Sequence, residues 1–331
     1  NETISFKVNH IFVTHDVHQI RWEAGYENNE LDAEFIRMFG PGVTDAITLP
    51  RPTDGSPLFL GQRGSGVDVS DSAENRFILP SSRNFSFIAF QDEWQVSDRF
   101  NLVLGIRVDD YSDFGTTTNP RVGFNWQVNN DLTMKLFNGS AFRAPSFGEL
   151  YSQNNTVVDG NENLKPETIN TWEMSFYLDS LFDGMLSLNS TFYRFETKGV
   201  IRDLFNASTN KLLSQNATGE IGEGLEFETI WKPTSEVTVK ASYAKTSLKN
   251  SETDLNVANI PSELMYVNAN WKIDANLNLN LGVKQVSGRK RASGDDRSPT
   301  ENFTQVMSKI AWHNVIDGLT LSLSGSNLLD D

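Results

Sequence analysis

Adjacent carboxylates are the first feature of the chain with chemical potential: Asp109 and Asp110 end the stretch LVLGIRVDD. Paired acids serve hydrolases as acid and base, or hold calcium. The preferred reading here is two solvated residues where a strand leaves a bilayer. DGNENLKPE (159–167) begins like a calcium-binding EF-hand loop, but Leu164 stands where that loop needs glycine. It is rejected as an EF-hand, and calcium held incidentally by the loop stays open. GEIGEG (219–224) has the look of a dinucleotide loop, yet Phe227 occupies the place of the final glycine and no helix follows. The chain contains no G-x-S-x-G, no H-E-x-x-H and no Walker loop. No enzyme constellation is present, and no resident cofactor or metal is expected.

The totals narrow the field further. The chain has 331 residues, a formal net charge of −15 and a pI near 4.7. This acidic balance argues against nucleic acid as a partner, because phosphate binding needs a basic surface. There is no cysteine, so disulfides, thiolate zinc sites and cysteine nucleophiles are excluded. No apolar run is long enough for a transmembrane helix. The chain opens on NETISFKVNH, which already alternates, and is expected to be a fragment or a processed piece.

The elements that position these residues are strands. In ANLNLNLGVK (275–284), Leu277, Leu279, Leu281 and Val283 alternate with Asn276, Asn278, Asn280 and Gly282. A strand turns successive side chains to opposite faces, so one face is oily and the other is amide. RVGFNWQV (121–128), VTVKASY (237–243) and LTLSLSG (319–325) repeat the pattern. About fourteen strands are expected, near 4–13, 18–29, 80–95, 100–112, 119–128, 132–142, 169–180, 185–201, 216–232, 236–248, 262–273, 276–287, 302–314 and 318–326. Short Asn/Asp/Gly/Ser/Pro links such as 96–99, 129–131, 182–184, 233–236 and 316–318 alternate with long ones near 31–78, 144–168, 203–215, 249–260 and 288–300. A short helical turn is expected near AEFIRMF in the first long link.

Short turns at one end and long links at the other are the asymmetry of an outer-membrane barrel. A soluble antiparallel sheet with one face on a core also alternates. Three features favour the membrane. The strands exceed the usual soluble length of about 5–6 residues. The polar faces carry Asn, Ser, Thr, Lys and Gly, as a wet lumen requires. Trp94, Trp172, Tyr193, Trp231, Trp271 and Trp312 lie near segment ends, where they would form interfacial girdles. The expected fold is all-β, an antiparallel transmembrane barrel.

FNGSAFRAPSFGELY (137–151) followed by NENLKPETINTWEM (161–174) resembles the signature of TonB-dependent outer-membrane receptors. Asn161 and Glu162 stand where that family usually has Asn-Pro, and Asn163, Leu164, Lys165, Pro166 and Glu167 match. FIAFQDEWQVSDRFNLVLGIRVDDYSDFG (87–115), IGEGLEFE (221–228) and SLSGSNLLDD (322–331) agree in order, so the resemblance runs over nearly the whole chain. It implies a barrel of about 22 strands with an N-terminal plug inside. Residues 1–331 would then be one incomplete barrel domain, lacking the plug, the first strands and the last strand. It also implies a place in a Gram-negative outer membrane, among its lipid and lipopolysaccharide. The implied function is energy-coupled uptake of a scarce metal chelate, a ferric siderophore foremost. The implied partner, reached through the plug, is the TonB–ExbB–ExbD complex. Cobalamin, haem or a glycan is the alternative cargo, and a passive diffusion channel the alternative class.

Candidate site residues are read from the side chains themselves beside this resemblance. Arg143, in the signature, either pins its loop to a carboxylate or faces an anionic ligand, and the first role is preferred. Phe35, Arg37, Phe39, Arg51, Phe59 and Arg63 mix rings and cations in one long link. That suits a bulky anionic ferric chelate, or a loop folding on its own aromatics. Phe147, Tyr151 and Arg202 are expected near the same vestibule. Arg107 and Arg121 are expected to pair with carboxylates of plug or wall rather than to touch cargo. The histidines are His10, His15, His18 and His313, with none in 144–165. Haem receptors resembling this family carry one there, which weakens that reading.

Overall fold

The computed structural model describes residues 2–14, 16–32, 35–39, 63–68, 76–154 and 157–330. In chain order the strands are β1 (Glu2–Thr14), β2 (His18–Leu31), β3 (Phe35–Phe39), β4 (Arg63–Asp68), β5 (Ser81–Ser97), β6 (Phe100–Tyr111), β7 (Gly115–Gln127) and β8 (Leu132–Arg143). Helix α1 (Phe147–Tyr151) follows, then β9 (Val158–Asp159), β10 (Glu167–Ser180), β11 (Leu186–Lys198), β12 (Ile201–Asn206) and β13 (Lys211–Asn216). The remaining strands are β14 (Glu220–Trp231), β15 (Val237–Asn250), β16 (Glu263–Lys272), β17 (Leu277–Ser287), β18 (Phe303–Trp312) and β19 (Leu321–Gly325).

Fourteen of these form one antiparallel sheet in the order β1-β2-β5-β6-β7-β8-β10-β11-β14-β15-β16-β17-β18-β19. They are the fourteen strands expected from alternation, one for one. The other strands are built inside the long links: a β3–β4 hairpin and a small β12-β13-β9 sheet. The helical turn expected near AEFIRMF is instead the strand β3, paired with β4. An isolated short helix is marginal in water, whereas the Phe-Ile-Arg-Met-Phe strand gains a ladder partner in β4.

Register settles which side chains share a face. Leu279 lies opposite Trp271 and Ile310, and Leu281 opposite Ala269. Asn280 lies opposite Asn270 and Lys309, and exchanges two 2.9 Å amide bonds with Asn268. The oily faces of successive strands thus join into one surface, and the polar faces into the other. Among the described residues no second layer covers the oily surface. Among the described residues only four hydrophobic side chains are buried, and three of them lie in the loops. Trp271 is 48% exposed, Leu281 47% and Ile310 40%. A soluble sheet of this area would bury such residues to fold, so the unmet solvent is hydrocarbon.

Trp94, Trp172, Trp231, Trp271 and Trp312 all stand on this oily face. Tyr193 does not. It pairs with Glu173 and Gly224 on the polar face, and its hydroxyl meets Thr246 at 2.7 Å. Its neighbour Phe192 takes the outward place, because one residue of offset reverses a side chain. The short turns use the expected chemistry. Asn129 Oδ1 accepts from the Asp131 and Leu132 amides, and Asp274 Oδ1 from those of Asn276 and Leu277.

Candidate functional site

The signature stretch spans the link from β8 to β10 at the long-link end of the sheet. Ser146 caps α1 through a reciprocal box: its Oγ accepts from the Glu149 amide at 3.2 Å, and its own amide donates to Glu149 Oε2 at 2.7 Å. Arg143, the last residue of β8, donates from Nε and Nη2 to Glu167 at 2.7 and 2.8 Å. It donates from Nη1 and Nη2 to Glu149 at 3.0 Å each. Four hydrogen bonds leave this guanidinium little to offer a ligand. Glu167 also accepts from the Ile201 amide at 2.6 Å, which ties β12 to the clamp. Arg143 therefore holds the loop.

Around the clamp is a small apolar core. Leu150, Leu164 and Ile201 are buried at 4%, 3% and 9%, with Tyr151 against them. The Leu164 that spoils an EF-hand is there to fill this core. Arg83, not foreseen in the sequence, lies 92% buried beside it. It donates to Asp113 at 2.7 Å and to the Pro145 carbonyl at 2.8 Å, with the rings of Tyr111, Phe114 and Phe147 at 5.8, 5.6 and 5.2 Å. Phe147 thus packs over a cation of the wall and reaches Tyr151 at 6.1 Å. Arg202 pairs with Glu220. Asn216 stitches the loops together by bonds to the Lys165 amide and carbonyl and the Gly199 carbonyl, each 2.8 Å.

Electrostatics reinforce the clamp. Burial pushes the Glu149 carboxyl up, but hydrogen bonds from Arg143 and Ser146 outweigh it and hold the group below the ordinary range. Burial, helped by Asp113, raises the Tyr151 phenol, which stays neutral.

The predicted site residues therefore separate into groups. Arg143, Phe147 and Tyr151 meet in one cluster, and Arg202 adjoins it through Ile201. Phe35, Arg37 and Phe39 lie in β3 and Arg63 in β4, with Phe39 opposite Arg63. Arg51 and Phe59 lie outside the described residues, as does His15. His10 and His18 sit on β1 and β2, and His313 falls just past β18.

On the polar face, Arg107 grips Asp109 with three bonds of 2.6–3.0 Å and approaches Glu23 at 3.9 Å. Asp109 is 1% exposed, so the solvated-pair reading is corrected for it. It faces inward under the Arg107 guanidinium, while Asp110 turns outward to accept from Thr116 at 2.7 Å. Arg121 meets Gln91, not a carboxylate. Among the described residues no cluster of acids and histidines could hold a metal ion. Among the described residues the side chains of the long-link end are engaged in ion pairs, hydrogen bonds and ring contacts that hold the loops together. The missed residues Arg83, Glu149 and Glu167 had one legible signal, the Ser146-x-x-Glu149 capping spacing.

Comparison with known proteins agrees with this geometry. A family model described as "TonB dependent receptor-like, beta-barrel" matches residues 8–328. The iron-regulated outer membrane virulence protein of Vibrio cholerae is 25% identical over the whole chain, which covers 54% of that relative. The vitamin B12 transporter BtuB of V. cholerae is 31% identical over 49% of this chain and 25% of its own length. A variant of the ferric enterobactin receptor PfeA of Pseudomonas aeruginosa, solved with enterobactin, superposes with a TM-score of 0.71 at 16% identity, over 99% of this chain and 49% of that one. The chain spans about half the length of the full-coverage curated relative it matches.

Proposed function

Since this chain belongs to the TonB-dependent receptor β-barrel family, an outer-membrane family of Gram-negative bacteria whose members transport rather than catalyse, we propose that the protein takes up a ferric siderophore across that membrane. The observation that carries the cargo is the match of the entire chain to an iron-regulated outer-membrane protein. The fold shared with a receptor solved with enterobactin accords with it.

In this reading cargo seats on the long-link end, above the Arg143 cluster and the β3–β4 hairpin. Phe35, Arg37 and Arg63 supply rings and cations, with Phe147, Tyr151 and Arg202 at the rim. Arg143 keeps the rim in shape. The loops close, and the TonB–ExbB–ExbD complex pulls on the domain that fills the lumen and opens a path. Energy enters mechanically, and the cargo is not chemically changed. The lipid-facing surface sits among outer-membrane lipid and lipopolysaccharide.

The test is growth on single defined ferric chelates, with and without the gene, in TonB-positive and TonB-null strains. Growth that needs both the gene and TonB supports the proposal. A second reading, cobalamin, is favoured by the similarity to BtuB over half the chain. Loss of cobalamin-dependent growth with no change on any iron chelate would select it.

A further inference from the structure

Of the lysines and arginines in the fourteen wall strands, four stand on the oily face: Arg194 and Lys198 on β11, and Lys245 and Lys249 on β15. Among the described residues, register places every other wall-strand lysine and arginine on the polar face. The four are not scattered. β11 and β15 flank β14, and all four residues lie in the long-link half of their strands.

Arg194 lies opposite Glu223, and Glu223 opposite Ser247. Lys245 and Lys249 stand two residues to either side of Ser247 on the same face. Two strand spacings, roughly 10 Å, separate β11 from β15. The oily band begins at once on the short-turn side: Phe192 and Tyr243 are the next outward residues there, and Trp172 lies opposite Arg194. Each cation has an exposed acidic neighbour. Glu223 is 3.0 Å from Arg194, Glu196 3.3 Å from Lys198, Glu263 3.6 Å from Lys245, and Asp254 2.9 Å from Lys249. Exposed pairs of this kind contribute little to stability, so a stronger anion takes the cation over at small cost.

We infer that this patch of β11, β14 and β15 seats the phosphorylated headgroup of one lipopolysaccharide molecule. The cations stand where the oily wall ends, which is the height of lipid headgroups. Their spread over roughly 10 Å matches separated phosphates better than a lone one. Their place at the long-link end puts them in the outer leaflet, a step that rests on the receptor reading above. Phosphates engage Arg194 and the lysines through charge-assisted hydrogen bonds. Acyl chains lie along Phe192, Leu225 and Tyr243. Glu223 and Glu263, released from their partners, share the magnesium that such headgroups carry.

The test is native mass spectrometry of the full-length receptor in detergent with magnesium present. The probes are bis-phosphorylated lipid A, its monophosphorylated form and phosphatidylglycerol. The first should be retained roughly tenfold more tightly than either other lipid, the scale of a charge-assisted contact. The double variant Arg194→Gln, Lys245→Gln should lose that preference, and Lys309→Gln, on the polar face, should keep it. The single variants, each expected to weaken binding severalfold, carry the test should the double variant not fold. Equal retention of the three lipids overturns the inference, and so does an unchanged preference in the folded variants. Lipid preference without gene-dependent growth on any chelate would sink the receptor reading alone, and chelate-dependent growth without lipid preference the patch alone.

Discussion

Leu279 in the wall and Leu164 in the loops are the same side chain with opposite surroundings. Leu164 is 3% exposed, packed with Leu150 and Ile201 above an ion-paired clamp. Leu279 is part-exposed on a sheet with none of the described residues above it, and its neighbours Trp271 and Ile310 are 48% and 40% exposed. The loop cluster is stabilised as a soluble protein is, by taking apolar groups out of water. The wall is stabilised by the hydrogen-bond ladders that join its fourteen strands, and its apolar face needs only a solvent as oily as itself.

Replacements that exchange the two environments sharpen this contrast. The largest effect belongs to the loop core: Leu164→Ala should cost about 2–5 kcal/mol locally. It should appear as faster hydrogen exchange at the Leu150 and Ser152 amides, with strand amides unchanged. Equal loosening of the wall would show that the two regions are one cooperative unit.

In the wall, Leu279→Arg should cost about 2–4 kcal/mol for folding into liposomes, and Asn280→Arg much less. Comparable losses would contradict the assignment of faces.

Next, Arg143→Ala should loosen the cluster by about 1–2 kcal/mol, since the clamp is charge-assisted but half-exposed. Hydrogen exchange reads this too. If cargo affinity collapsed while α1 stayed protected, Arg143 would be a ligand contact and not a loop pin.

The smallest effect is set by pH. The Glu149 carboxyl is held below its ordinary value near 4.5 in the folded loop, so the folded loop binds fewer protons than the open one. Its stabilisation is complete above that ordinary value and is lost as pH falls through the lowered one. Protection of α1 should therefore fade below about pH 4.5 in the native protein, and Glu149→Gln should shrink the dependence to the share of Glu167, whose carboxyl the same Arg143 also holds below its ordinary range. A loop that loosens on alkalinisation instead would reverse the sign and refute the clamp.

Much of the wall was legible because its signal is local. A period of two needs no partner to be recognised, and each of the fourteen alternating stretches became a wall strand. Turn residues such as Asn129 and Asp274 act on amides two and three residues away, so they too could be read in place. Tyr193 shows the limit of this reading: an aromatic near a strand end reads as a girdle residue until register turns it inward. The loop site was less legible. Arg143 finds Glu167 across a chain separation of 24 residues, and Arg83 finds Pro145 across 62. Ile201 joins Leu164 from another link. Charges and leucines in polar loops carry no period that names their partners.

Alternation alone determined that this chain is built of strands with an oily side and a wet side. Those properties follow from side-chain chemistry at spacing two, which each strand has by itself. Only the tertiary structure decided that Asp109 faces inward under Arg107 and that Arg143 is spent on two loop carboxylates. Compensation of a charge depends on which strands lie side by side and in what register, and that is a property of the assembled sheet.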